Sequence, residues 1–335
     1  MVVQRFFNVF LEKLLPCDGK TLLIILRGIN VVLTALVLLG IIDWIRRKNG
    51  DLIAWLVSIT IALFIQCFAM FVQNLYWIPW TLLLPMAAMM IYFESSKYQN
   101  SGKHTIMLFI ISFAACLVKE LCYFEFITSV MIAMALPLFY TAMERKYKIT
   151  QFVKEFAAVV SGAISSFIIV LGIKIMMFWY RYGVRLGMEH LLEHLDKRLV
   201  NGFEFAPGGT DGIKNAVKLL LRIPAVSVRS VGRIDWLWMI ILCLVSVVIV
   251  FILNGLKWSR IPEKMRITIL VTTVSLLAPL SWAVMAAPHT CIHYTHCSVV
   301  WFCGFYFFAV ILIFQTVFMI VAKVKEWYNK ISDKL

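Results

Sequence analysis

Half of the chain's six histidines fall within eight residues, in the run Pro288-His289-Thr290-Cys291-Ile292-His293-Tyr294-Thr295-His296. On a helix advancing 100° per residue, His289, His293 and His296 lie within about 60° of one another. Three imidazoles on one face can hydrogen-bond a phosphate or bind a metal, and the same residues can also cap a loop at a membrane surface. A second polar island is Lys119-Glu120-Leu121-Cys122-Tyr123-Phe124-Glu125-Phe126. An ionised side chain at the centre of a membrane helix costs about 2.5–3.5 kcal/mol on insertion scales, so charges inside apolar sequence need a reason. The expectation is that Glu120 or Glu125 carries chemistry, with Lys119 and Tyr123 beside it, and that this hairpin lines an outward-opening cavity. The plain alternative is a turn whose Lys and Glu neutralise each other. A third candidate is the corner Gln73-Asn74-Leu75-Tyr76-Trp77, where Gln73, Asn74 and Tyr76 offer amide and phenol groups.

One further pattern, His190-Leu191-Leu192-Glu193-His194, matches the H-x-x-E-H of inverted zinc peptidases, but a charged amphipathic helix produces the same spacing. Walker loops, dinucleotide fingerprints, serine elbows and CxxC pairs do not occur in the sequence. The eight cysteines are scattered, mostly through apolar sequence, and do not read as a disulfide framework.

The elements that must position these groups are apolar spans. The chain is 62% hydrophobic and 15% charged, with a mean hydropathy of +0.88. A hydrocarbon layer about 30 Å thick needs roughly 20 apolar residues per crossing helix. The pattern predicts an all-α polytopic transmembrane bundle of about nine spans, at 21–45, 52–71, 79–93, 105–119, 127–143, 157–178, 236–253, 267–287 and 299–322. Lys and Arg flank these spans, which explains the net charge of +14 without nucleic acid. Of the 32 Lys and Arg residues, 17 fall on the side that carries Arg46, and the short loops on the other side carry almost none. That bias predicts a cytoplasmic C-terminus and, for nine spans, an outer N-terminus.

The 54-residue segment 181–234 is then an extracytoplasmic loop. It reads as a helix over 181–199, a Pro-Gly break, and a second helix over 212–222 that Asp211 can cap. Lys214, Lys218 and Arg222 recur every four residues, as on a helix lying flat on a bilayer. Lys218, Arg229 and Arg233 are candidate cations for a phosphate.

The span order, the aromatic corner Val72-Gln73-Asn74-Leu75-Tyr76-Trp77-Ile78-Pro79-Trp80 and the histidine run followed by Trp301 resemble the GT-C membrane glycosyltransferases of bacterial surface-polysaccharide synthesis. The resemblance implies a multi-pass protein of the plasma (inner) membrane. It implies a polyprenyl-phosphate-linked sugar as donor, a glycan acceptor, contact with membrane lipid and no organic cofactor, with a divalent metal left open. Within that reading Glu120 and Glu125 are the candidate catalytic residues, a carboxylate that could position the acceptor or a metal. The candidate substrate-binding residues are Gln73, Asn74, Tyr76, Lys119, Tyr123, Lys218, Arg229, Arg233, His289, His293 and His296. That fold begins with a cytoplasmic N-terminus, one helix and a first outer loop bearing a catalytic acid. Here residues 5–20 look like the end of such a loop, so the expectation is that a first helix is missing before Met1. Two other readings remain open: a non-catalytic protein that binds or moves lipid-linked glycans, and a structural membrane subunit.

Overall fold

The computed structural model describes residues 13, 18–63, 79–95, 102–199, 212–228, 232–294 and 296–333, with the side chains of 194, 195, 197–199, 225–228, 232 and 233 excepted. The described chain is helical almost throughout. In chain order the helices are α1 (Gly19–Asn49), α2 (Asp51–Leu63), α3 (Pro79–Ser95), α4 (Gly102–Cys122), α5 (Ile127–Glu144), α6 (Ile149–Tyr182), α7 (Val184–Leu199) and α8 (Gly212–Arg222). A short antiparallel ribbon, β1 (Pro224–Val228) and β2 (Gly232–Asp235), leads into α9 (Trp236–Leu253). The chain continues through α10 (Glu263–Ser275), α11 (Leu277–Met285), α12 (Ala287–Ile292), a 3₁₀ segment His296–Phe302, and α13 (Phe305–Ser332).

Seven helical stretches among the described residues are long and apolar enough to cross a membrane: α1, α4, α5, α6, α9, α10 with α11, and α13. Helix α2 is apolar but shorter, and α3 has 17 residues. The outer faces of these helices are apolar, with Ile24, Leu39, Ile168, Leu244 and Val248 exposed, as suits a protein solvated by lipid tails.

Local chemistry explains the breaks. Pro279 supplies no N–H to the turn before it, and α10 gives way to α11 at Leu276. Pro288 lies in the first turn of α12, where its missing N–H is harmless. Gly304 has φ 99° and lies against the Leu136 side chain, so a Cβ there meets both a strained backbone and Leu136 Cδ1. Asp18 caps α1, its carboxylate accepting from Thr21 N at 2.8 Å.

The two ends of the bundle differ. At one end Lys48 lies between Glu94 and Glu144, 2.7 Å from each, and Gln315 donates to Asn49. The same end holds a buried cluster in which the Tyr92 hydroxyl and His104 Nδ1 are 2.8 Å apart and Glu155 is 3.4 Å from Nε2. At the opposite end, Trp236 stacks on Trp301 with centroids 5.0 Å apart, and the histidine run and the Lys119–Phe126 turn are gathered there.

Helix α8 forms over the residues its pattern predicts, but it rests on protein. Ala216 and Leu220 are fully buried, Trp301 Nε1 donates to Leu220 O at 3.3 Å, and Cys291 Sγ is 4.0 Å from Gly212 O. The apolar stripe that suggested a helix lying on lipid is therefore occupied by the histidine-bearing segment. Residue Asp211, the expected cap, lies outside the described residues.

Candidate functional site

The Lys119–Phe126 turn joins α4 to α5 and folds inward. Lys119, Glu120 and Glu125 are all buried, so they do not line an outward-opening cavity as the sequence suggested. The physical reason lies in the turn itself. Between the two helices the chain turns, which leaves turn carbonyls without helical partners, and a buried ammonium needs such acceptors. Lys119 Nζ donates to the Glu125 carbonyl at 2.6 Å and sits 5.2 Å from the centre of the Tyr123 ring. The Thr81 hydroxyl of α3 donates to Tyr123 OH at 3.1 Å. Phe126 closes the turn in the left-handed region, φ 63°, a conformation that tight packing must hold in a non-glycine residue.

Glu120 points to a different neighbour. The Ser166 hydroxyl of α6 donates to Glu120 Oε2 at 2.5 Å. Beyond it, Lys174 Nζ stands 3.4 Å above the Phe124 ring, so this lysine is held by an aromatic face as well as by its place near the helix end. The sequence singled out Glu120 but not Ser166, which sits 46 residues away with no motif around it.

The histidine run is not one helix. His289 belongs to the short α12, His293 ends it, and His296 opens the 3₁₀ segment. The rings still form a row: His289 to His293 is 4.8 Å and His293 to His296 is 5.9 Å between centroids. Backbone bonds from His293 N to His289 O and from His296 N to His293 O hold the spacing through the break. Burial, with His293 alongside, lowers His296 below the usual histidine range. Among the described residues no three His, Cys, Asp or Glu side chains are grouped to hold a metal ion.

The two polar islands meet through Trp282 of α11. Phe126 packs edge-on against it at 5.1 Å, and His289 packs edge-on at 5.9 Å. Lys119, Tyr123 and Glu125 are thus brought to the same end of the bundle as His289, His293 and His296. Trp282 was not among the residues read as functional. Its place seven residues before His289 is the only signal the sequence offers.

Lys218 is not part of this assembly. It is exposed on the stripe of α8 that also carries Lys214 and Arg222, about half a turn of helix away from the buried Ala216 and Leu220. Gln73, Asn74, Tyr76 and Arg229, and the side chain of Arg233, lie outside the described residues. In the H-x-x-E-H pattern, His190 and Glu193 make an exposed contact of 3.9 Å along one helix face, as a solvated helix would.

No family model matches the chain, and neither a curated protein nor a solved structure matches it significantly.

Proposed function

We propose that this protein is a membrane glycosyltransferase of GT-C type that uses a polyprenyl-phosphate-linked sugar and passes it to a glycan acceptor. The observation that carries the reading is the convergence of a buried carboxylate-bearing turn and a row of three imidazoles, bridged by Trp282, at one end of an apolar bundle. Such a position lets a lipid keep its tail among the helices while its phosphate reaches the polar end. In the reaction, a carboxylate, Glu120 or Glu125, takes the proton of an acceptor hydroxyl. The hydroxyl oxygen attacks the anomeric carbon, the bond from that carbon to the phosphate oxygen breaks, and the lipid phosphate leaves with the electron pair.

The leaving phosphate needs donors placed in advance. His289, His293 and His296 supply imidazole N–H groups, and Arg229 and Arg233 are proposed as cations for the same phosphate. Lys218, on the outward stripe of α8, acts at longer range by attracting the phosphate to this end. Lys119 and Tyr123 shape the floor of the site, and Gln73, Asn74 and Tyr76 are proposed to contact the substrate. The reaction needs no organic cofactor. In this reading the protein sits in the plasma (inner) membrane with its histidine end outside and its C-terminus in the cytoplasm.

The test is to incubate purified protein in vesicles with radiolabelled polyprenyl-phosphate sugars and candidate acceptors. Transfer by the wild type that falls by orders of magnitude in E120Q or E125Q supports the reading. No transfer across a panel of donors removes it.

The burial of Glu120 and Glu125 favours one other reading, a protein that binds or moves the lipid-linked glycan without cleaving it. There, the double variant E120Q/E125Q would retain binding of the lipid-linked sugar, and no product would form in the wild type.

A further inference from the structure

The most consequential unexplained atom is Glu120 Oε1. Glu120 is fully buried, its Oε2 is bonded by Ser166, and Oε1 has no hydrogen-bond partner among the described residues. A buried carboxylate oxygen left unsatisfied loses its hydration without replacement, and native proteins rarely carry one without a use.

The surroundings are built around it. Helices α4 and α6 approach closely at Gly162, where an added Cβ would fall 2.6 Å from the Phe109 carbonyl and would collide with Ser112 Oγ. Small residues at such spacing let helix backbones touch inside a membrane. Ser166 follows Gly162 by one turn on the same face, so this close approach is what brings its hydroxyl onto Glu120. Four residues past Glu120 along the chain, Phe124 lies under the Lys174 ammonium. A fixed carboxylate, an aromatic face and an ammonium side by side are the groups that recognise a polyhydroxylated ring. The carboxylate accepts from hydroxyls, the ring covers C–H faces, and the ammonium donates.

We infer that Glu120 Oε1 is a hydroxyl-accepting position for a glycoside that enters from the side of Phe124 and Lys174, which are only partly buried, and that Ser166 is its positioning residue. This selects Glu120 over Glu125, whose carbonyl and side chain belong to the Lys119 turn. It deepens the glycosyltransferase reading, on which it rests only for the idea that the hydroxyl is an acceptor's.

The test uses a carboxyl reagent that works inside membranes. The full chain in vesicles is treated with dicyclohexylcarbodiimide, and modification of Glu120 is followed by mass spectrometry in the presence of decyl glucoside or decylphosphocholine. The expected result is modification of Glu120 that decyl glucoside slows at least fivefold and decylphosphocholine, which has no hydroxyl, does not. S166A loses this protection, S166T restores it, and E125Q keeps it. Absence of modification overturns the inference, because a site that admits a glycoside admits the reagent. Equal protection by both amphiphiles, or protection that survives in S166A, also overturns it. Glycoside protection without any sugar transfer retires the enzyme and leaves the site. Transfer by a protein whose Glu120 no glycoside protects does the reverse.

Discussion

Phe126 and Trp282 meet edge to face with ring centres 5.1 Å apart, and Trp282 meets His289 in the same way on another edge. Through this pair, a turn between α4 and α5 and a segment more than 160 residues later in the chain become one structure. Phe126 is held at φ 63° in a fully buried position, so the contact also fixes a backbone conformation that would relax without it.

Removing that ring has a defined outcome. W282A takes a nearly buried indole from between Phe126 and His289, and large-to-small aromatic changes in packed interiors destabilise by about 3–5 kcal/mol. Thermal unfolding in detergent should show a clearly lower midpoint for W282A and a smaller loss for W282F, which keeps an aromatic edge. A W282A midpoint equal to wild type means that the bridge carries no weight.

Acid should weaken the histidine end. Burial holds His296 below its ordinary value of about 6.5, so in the range from there downward the unfolded chain binds a proton that the folded chain resists. Stability contributed by this site is present above that range and is lost as pH falls through it. Unfolding midpoints measured from pH 7.5 to 5 should drop in the wild type, and H296Q should flatten part of that slope.

Sidedness cannot be mapped with the native thiols of the histidine run. Cys291 and Cys297 are buried, and burial pushes the Cys297 thiol up to about 12 and raises Cys291 as well, so neither is a ready nucleophile at neutral pH. A K218C variant places a thiol on the exposed stripe of α8. With Cys17 and Cys67 first replaced by alanine, a membrane-impermeant maleimide added to intact cells should label K218C and leave the same background without K218C unlabelled. Labelling of K218C only after the membrane is broken would place this end in the cytoplasm and remove the proposed outward site.

At the other end, Lys48 holds two carboxylates together. It is 2.7 Å from both Glu94 and Glu144, and its side chain is only 12% exposed. K48M leaves two partly buried carboxylates facing each other, a loss of about 1–3 kcal/mol. Adding E94Q and E144Q should recover most of it, because removing all three charges removes the mismatch. A triple variant no more stable than K48M shows that the lysine acts by packing rather than by charge.

Much of the architecture is legible in the residues. The apolar runs that become α1, α4, α5, α6, α9 and α13 are long enough that no other structure satisfies their backbone in hydrocarbon. Helix α8 is equally legible, because Lys214, Lys218 and Arg222 alternate with Ala216 and Leu220 at helical spacing. Its neighbour is not legible: the apolar stripe is compatible with lipid and with protein, and Trp301 and Cys291 decide for protein. The β1–β2 ribbon was not anticipated, since its short strands carry no long alternating pattern.

The polar groups divide the same way. Their presence near the helix ends follows from sequence, since hydrocarbon excludes charge and a buried ionisable residue stands out against it. Their direction does not. Lys119 turns inward because the folded turn presents the Glu125 carbonyl. Glu120 is claimed by Ser166 because Gly162 lets two helices touch. His289 through His296 stay in a row across a helix break because Trp282 and backbone bonds hold them. Partition into a membrane sums over neighbouring residues, so the chain alone determines it. Pairing inside the bundle depends on which distant groups come within about 3 Å, and only the packed tertiary structure decides that.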